Sequence, residues 1–72
     1  MMFYKILNEQ VKQFINRAKG GYFSHNIIKG KKDYYVEYYQ ESLYWVYSYE
    51  TNKITMIYAR SPYDAVKMYE RW

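Results

Sequence analysis

The chain has 72 residues, half of them hydrophobic, with 12 tyrosines, no cysteine and a formal net charge of +4. That length predicts one domain, residues 1–72, with a small core that buries about 60% of the unfolded surface. The absence of cysteine excludes disulfides and thiolate metal sites. No apolar run approaches 18 residues and no segment resembles a signal peptide, so we expect a cytoplasmic protein without a membrane span.

The first predicted element is an amphipathic helix that ends at Gly20 and Gly21, because glycine adopts the left-handed conformation that follows a helix. Its apolar residues recur at the three- and four-residue spacing of one helix face: Phe3, Ile6, Leu7, Val11, Phe14, Ile15 and Ala18. On the opposite face Lys5, Lys12 and Lys19 recur every seven residues. These lysines are interpreted either as a row that contacts phosphates or acidic partners, or as an ordinary solvated helix face.

The middle of the chain predicts β-structure, since alternating aromatic and β-branched residues are typical of strands. The strongest segments are residues 34–39, 43–49 and 54–59, and a weaker one covers residues 22–29. Residues 29–33 form a turn that carries Lys29, Lys31 and Lys32. Residues 40–42 and 50–53 supply the two other hairpin connections.

A second helix is predicted to begin after Ser61, which is a typical N-cap residue. Pro62 suits the first helical position, and Asp64 completes a capping box. The apolar face of this helix is predicted to consist of Ala65, Val66, Met68, Tyr69 and Trp72.

These elements predict an α+β fold in which an antiparallel sheet of three to four strands is packed on one face by an N-terminal and a C-terminal helix. A two-residue turn at Thr51 and Asn52 pairs Trp45 with Tyr58. A two-residue turn at Glu41 and Ser42 pairs Tyr38 with Trp45. A one-residue slip in the register of this first hairpin would move part of the side chains to the opposite face of the sheet.

With that register, one sheet face stays open and carries a connected patch of aromatic and aliphatic side chains: Tyr35, Tyr39, Tyr44, Val46 and Ile57. Patches of this kind often mark interaction sites. The tyrosines suit either base stacking or a protein interface. The competing interpretation is compositional, since 33 of the 72 residues are Tyr, Lys, Ile, Asn or Phe, which AT-rich codons encode.

The sequence offers little for catalysis or metal binding. His25 is the single histidine, and a half-buried position in a strand is the simplest interpretation of it. One histidine without cysteine makes no metal site, and the carboxylates are scattered. We therefore expect a protein that is not an enzyme and has neither a metal nor a cofactor.

The order of elements resembles that of double-stranded RNA-binding domains, which run helix, three strands, helix. Those domains hold phosphates with a lysine cluster at the start of the second helix. Here residues 60–67 read RSPYDAVK, without a run of lysines. The resemblance therefore concerns the order of elements and implies no site residues.

The expected function is that of a small non-enzymatic module that acts by occupancy. It would dock through the tyrosine patch on a host protein, such as a nucleic-acid enzyme or a defence component, as phage or mobile-element inhibitors do. The alternative is nucleic-acid binding by the same face and the lysines of residues 29–32. A third possibility is a self-associating structural protein, and a homodimer is expected because two apolar sheet faces need cover.

Overall fold

The computed structural model describes residues 8–21 and 23–71. Two helices flank four strands, and a 3-10 turn at Ser24–Asn26 precedes the first strand. The elements are α1 (Asn8–Gly20), β1 (Ile27–Lys29), β2 (Asp33–Gln40), β3 (Leu43–Ser48), β4 (Lys53–Tyr58) and α2 (Pro62–Arg71). The predicted α+β class and the order α-β-β-β-β-α are confirmed.

The four strands form an antiparallel sheet in the order β1-β2-β3-β4, so each strand lies beside its neighbours in sequence. The strand predicted over residues 22–29 is shorter than expected. Its first part contains the 3-10 turn, and only Ile27–Lys29 pairs with β2. His25 is therefore exposed in that turn, and its predicted half-buried strand position is wrong.

The hairpin between β2 and β3 has the predicted two-residue turn but a different register. Glu41 and Ser42 both have positive φ, at 47° and 64°, as a tight two-residue hairpin turn requires. An irregularity between Tyr38 and Gln40 then shifts the pairing by one residue. Tyr38 consequently pairs with Tyr44, and the predicted pair of Tyr38 with Trp45 is wrong.

The hairpin between β3 and β4 is longer than predicted. Ser48 pairs with Lys53, so four residues connect the strands, and Trp45 pairs with Met56 instead of Tyr58. A hydrogen bond from the Tyr47 hydroxyl to Oδ1 of Asn52, at 2.5 Å, stabilises this loop, where Asn52 has φ 58°. The register differs from the predicted one by two residues, so each β4 side chain still shares a sheet face with the β3 side chains that were predicted to lie on its side.

The two helices pack on opposite faces of the sheet, and the prediction that both cover one face is wrong. Consecutive residues of β2 belong to different clusters: Tyr34 packs with α2, Tyr35 with α1, and Val36 with α2. Because side chains alternate along a strand, this division places one helix on each side. The argument for a homodimer that covers an open second face therefore fails, although dimerisation itself stays a prediction.

Helix α1 contributes a small aromatic core to its side of the sheet. Phe14 is fully buried, and its ring lies 5.6 Å from that of Tyr35, 5.0 Å from that of Trp45 and 6.4 Å from that of Tyr47. Ala18 is also buried, as the predicted apolar face requires, and the helix ends before Gly21, whose φ is 71°. Phe3, Ile6 and Leu7 of that predicted face lie outside the described residues.

Helix α2 packs on the other side through the predicted face. Ala65 and Val66 are buried, and Met68 and Tyr69 pack against the cluster around them. The Ser61 hydroxyl accepts a hydrogen bond of 3.1 Å from the Asp64 amide, which confirms Ser61 as the N-cap. Trp72 lies outside the described residues.

A polar contact joins α1 to the sheet. The Arg17 guanidinium donates hydrogen bonds of 2.7 and 2.8 Å to the two carboxylate oxygens of Glu37, and the Tyr35 hydroxyl donates a third, of 2.7 Å. Bidentate pairs of this kind fix orientation as well as distance. The contact therefore holds α1 at one place on β2.

Candidate functional site

The residues of the predicted tyrosine patch do not form an exposed surface. Tyr35 lies under α1, whereas Tyr44, Val46 and Ile57 lie under α2, and all four are buried with at most 8% of their surface exposed. Tyr39 is half-buried on the α1 side. The prediction of an open face that carries these five residues is wrong, because a helix covers each side of the sheet.

The predicted lysines are exposed, but the structure separates them. Lys12 and Lys19 lie on α1, while Lys29, Lys31 and Lys32 lie at the hairpin between β1 and β2. Lys32 is ion-paired with Glu50, with 3.5 Å between Nζ and Oε2. Lys5 lies outside the described residues. Among the described lysines that were predicted as contacts, Lys31 lines a groove.

That groove has a volume of about 830 Å³ and runs beside α2. Helix α2 starts at the end of β4 and finishes beside the β1–β2 hairpin, where the Glu70 carboxylate accepts a hydrogen bond from the Lys31 amide at 2.5 Å. Ten helical residues span about 15 Å, so the groove borders the helix over most of its length. We call it the α2 groove, and its lining residues are Lys31, Ser42, Tyr58, Ala59, Arg60, Asp64, Lys67, Met68, Glu70 and Arg71.

Cationic side chains dominate the α2 groove. Arg60 lies before the start of the helix, Lys67 in its middle and Arg71 at its end, while Lys31 lies on the hairpin that Glu70 contacts. All four are exposed, and they face the two carboxylates of the groove, Asp64 and Glu70. The formal charge of the lining is therefore +2, and such a concave positive surface attracts anionic partners.

Glu70 is engaged in the structure of the hairpin, so it opposes an incoming anion less than its charge suggests. Besides the Lys31 amide, it accepts a hydrogen bond from Tyr34. A Cβ at Gly30 would lie 2.5 Å from Oε2 of Glu70, so the absence of a side chain at Gly30 leaves room for the carboxylate. Glu70 thereby holds the end of α2 against the loop that presents Lys31.

Burial, which has the largest effect, acts together with the hydrogen bond and the negative charge of Glu70 to raise the pKa of Tyr34 to about 12. Because this pKa is raised, the stability that protonated Tyr34 contributes is fully present below pH 10, the unfolded value. It is lost as the pH rises through about 12. We expect Glu70→Gln to lower the pKa of Tyr34 without returning it to 10, since the burial persists. Subtracting the alkaline absorbance titration of Tyr34→Phe isolates this tyrosine, and an unchanged value in Glu70→Gln would contradict the assigned contact.

Sequence reasoning missed Arg60, Lys67 and Arg71 as site residues. Lys67 and Arg71 lie four residues apart on one side of α2, which is a detectable signal. Their proximity to Lys31 depends on where the helix ends on the sheet, and periodicity does not specify that position.

Two further observations bear on the chemistry available. Neither helix combines the length and the hydropathy that crossing a membrane requires, within the described ranges. Among residues 8–21 and 23–71, no three His, Asp or Glu side chains lie close enough to share a metal ion. No family model, no curated protein and no solved structure matches the chain.

Proposed function

We propose that the chain is a non-enzymatic module that binds single-stranded nucleic acid in the α2 groove and acts by occupancy. The observation that carries the proposal is the convergence of Lys31, Arg60, Lys67 and Arg71 along one groove. Phosphate neutralisation by lysine and arginine supplies most of the affinity of sequence-independent binding. Guanidinium groups also bind phosphate oxygens in a bidentate way, which suits Arg60 and Arg71 to this role.

The groove also offers surface for bases, which favours a single strand over a duplex. Tyr58, which is 51% exposed, lines the groove, and Met68 contributes apolar surface to it. Single-strand-binding proteins combine a positive groove with aromatic rings on which bases stack. In a duplex the bases are already stacked on one another, so stacking on Tyr58 would add less to the binding of a duplex than to that of a single strand.

Docking on a host protein, the first expectation from the sequence, stays a prediction. The sheet face that was to provide the interface lies beneath the helices, so a protein partner would need another surface. An acidic protein segment is the competing occupant of the α2 groove.

The test is binding of fluorescently labelled dT12 and rU12, measured by anisotropy over a range of salt concentrations. Each phosphate contact on a single strand contributes a slope of about −0.7 to log K against log salt, so four contacts predict about −3. The triple variant Arg60→Ala/Lys67→Ala/Arg71→Ala should reduce the slope to about −0.7, because Lys31 alone is left. Its thermal stability should change little, since these side chains are exposed.

The matched control removes the same charge from elsewhere. Lys12→Ala/Lys19→Ala/Lys53→Ala also loses three exposed cations, none of which lines the groove. It should keep a slope near −3 and bind only slightly more weakly. Equal losses in the two triple variants would show that net charge, and not the groove, causes binding. No binding of either strand at low salt would refute the proposal and leave an acidic protein as the occupant to seek.

A further inference from the structure

Strand β2 extends beyond its neighbour β1. Residues 33–35 of β2 pair with β1, whereas the pairing of β2 with β3 continues to Gln40. Where β1 begins, the Asn26 side chain donates a hydrogen bond of 2.7 Å to the Val36 carbonyl. Past that point, no strand lies beside residues 37–40 on this side within the described part of the chain. We call these four residues the β2 edge.

The backbone of the β2 edge presents hydrogen-bonding groups outward. In an antiparallel strand the N–H and C=O of one residue point to the same side, and the side alternates from residue to residue. The Val36 carbonyl points away from β3, because Asn26 binds it from the β1 side. Two residues further on, the N–H and C=O of Tyr38 therefore point to the same side, into the space that would continue β1.

Side chains and a depression border that space. Phe23 is 42% exposed and Tyr38 is 62% exposed, although most large apolar side chains of the sheet are buried. A depression of about 290 Å³ lies between them, and Asn26 and Glu37 contribute to its lining. A strand that continued β1 would have a pocket for a side chain at this place.

The β2 edge also lacks the residues that usually prevent strand addition. Natural sheet edges are often protected by lysine or proline. Residues 37–40 read EYYQ, and the one charged side chain, Glu37, is paired with Arg17 on the α1 side of the sheet. The edge therefore presents backbone groups and aromatic surface without an unpaired charge.

We propose that the β2 edge binds an extended peptide segment of a partner protein, which adds to the sheet as a strand in line with β1. An extended backbone is the ligand whose donors and acceptors match those of a strand edge. A second copy of this chain is the competing occupant, because its terminal strand β4 also has an edge to offer. This site is separate from the α2 groove and does not depend on nucleic-acid binding.

The test starts from a probe of defined chemistry, a phage-displayed library of random twelve-residue peptides, selected on the folded protein. The selected peptide is synthesised and its site is mapped by amide NMR. We expect shifts at residues 36–40 and slower hydrogen exchange of the Tyr38 amide. N-methylation of alternate peptide residues should weaken binding about fivefold for each backbone hydrogen bond lost, because such a bond contributes on the order of 1 kcal/mol.

Variants of Tyr38 separate backbone from side-chain recognition. Tyr38→Pro removes the N–H that points away from β3, so it should weaken peptide binding more than Tyr38→Ala does. Edge positions tolerate proline, so we expect this variant to fold. Tyr38→Ala keeps that N–H and should bind the peptide, though more weakly. If Tyr38→Pro does not fold, N-methylation of the peptide and amide exchange in the unaltered protein still test whether the peptide binds the backbone of the β2 edge.

Three outcomes would overturn the proposal. The first is that the library yields no binding peptide, and the second is that N-methylation has no effect or the shifts map away from residues 36–40. The third is a free protein of about 18 kDa, twice 9.0 kDa, whose Tyr38 amide is already protected. That result would assign the edge to a second copy.

Discussion

Tyr44→Ala is expected to destabilise the protein as strongly as Trp45→Ala, by about 3–5 kcal/mol each. The two residues are neighbours on β3 and point to opposite faces. Both are nevertheless buried, since only 8% of Tyr44 and 5% of Trp45 is exposed. A domain of 72 residues has a total stability of roughly 4–11 kcal/mol, so either change removes a large part of it. Urea unfolding followed by circular dichroism measures both values.

The matched control is Tyr38→Ala. Tyr38 pairs with Tyr44 across the strands, and their rings lie 5.5 Å apart, but Tyr38 is 62% exposed. Losing this ring should cost about 1 kcal/mol, the value of a cross-strand aromatic pair. If Tyr44→Ala cost as little as Tyr38→Ala, α2 would not cover this face of the sheet.

The helices and strands could be predicted from the sequence because each has a local signal. Phe14 and Ala18 lie at helical spacing, Ser61 and Pro62 mark a helix start, and Glu41 lies in the predicted two-residue turn. These signals involve residues close together in the chain. They specify the elements and their order without any knowledge of how the elements pack.

The faces of the sheet could not be predicted, because tyrosine occupies both sides of its strands. In β2, Tyr34 and Tyr35 are adjacent and both are buried. Shifting the register by one residue therefore exchanges one aromatic side chain for another and leaves the hydrophobic pattern almost unchanged. The irregularity between Tyr38 and Gln40 causes such a shift and has no signal in composition or periodicity.

The groove depends on packing in the same way. Lys31 is 29 positions from Arg60 in the sequence. They share a groove because α2 begins beside the end of β4 and finishes at the β1–β2 hairpin. Along the chain, Lys31 lies in a turn and Arg60 lies two residues before a helix, and no local pattern relates them.

Glu37→Ala is expected to cost about 2 kcal/mol at pH 7. The carboxylate accepts hydrogen bonds from Arg17 and from the Tyr35 hydroxyl, and only 1% of Tyr35 is exposed. Removing it leaves a buried hydroxyl and a guanidinium without this partner, and hydrogen bonds to charged groups contribute about 1.5–3 kcal/mol each. The Arg17 side chain is 37% exposed, so water replaces part of what it loses, and the total stays well below the sum of three bonds.

An exposed carboxylate supplies the control for this change. Glu41 lies in the two-residue turn, and Glu41→Gln should alter the free energy of unfolding by less than about 0.5 kcal/mol. A larger effect there than at Glu37 would mean that the contact between α1 and β2 contributes little to stability.

The same carboxylate should make stability depend on acid. Burial alone would raise the pKa of Glu37, but the hydrogen bonds from Arg17 and Tyr35 and the charge of Arg17 outweigh it and hold the pKa below its ordinary value. A lowered pKa means that its contribution is present above the unfolded value of about 4.3 and is lost as the pH falls through the folded value. Glu37→Gln cannot take up this proton, so its deficit in unfolding free energy relative to the native chain should shrink between pH 5 and pH 2. Urea unfolding at these pH values measures that deficit, and a gap that stays constant would show that the carboxylate is not held ionised by Arg17 and Tyr35.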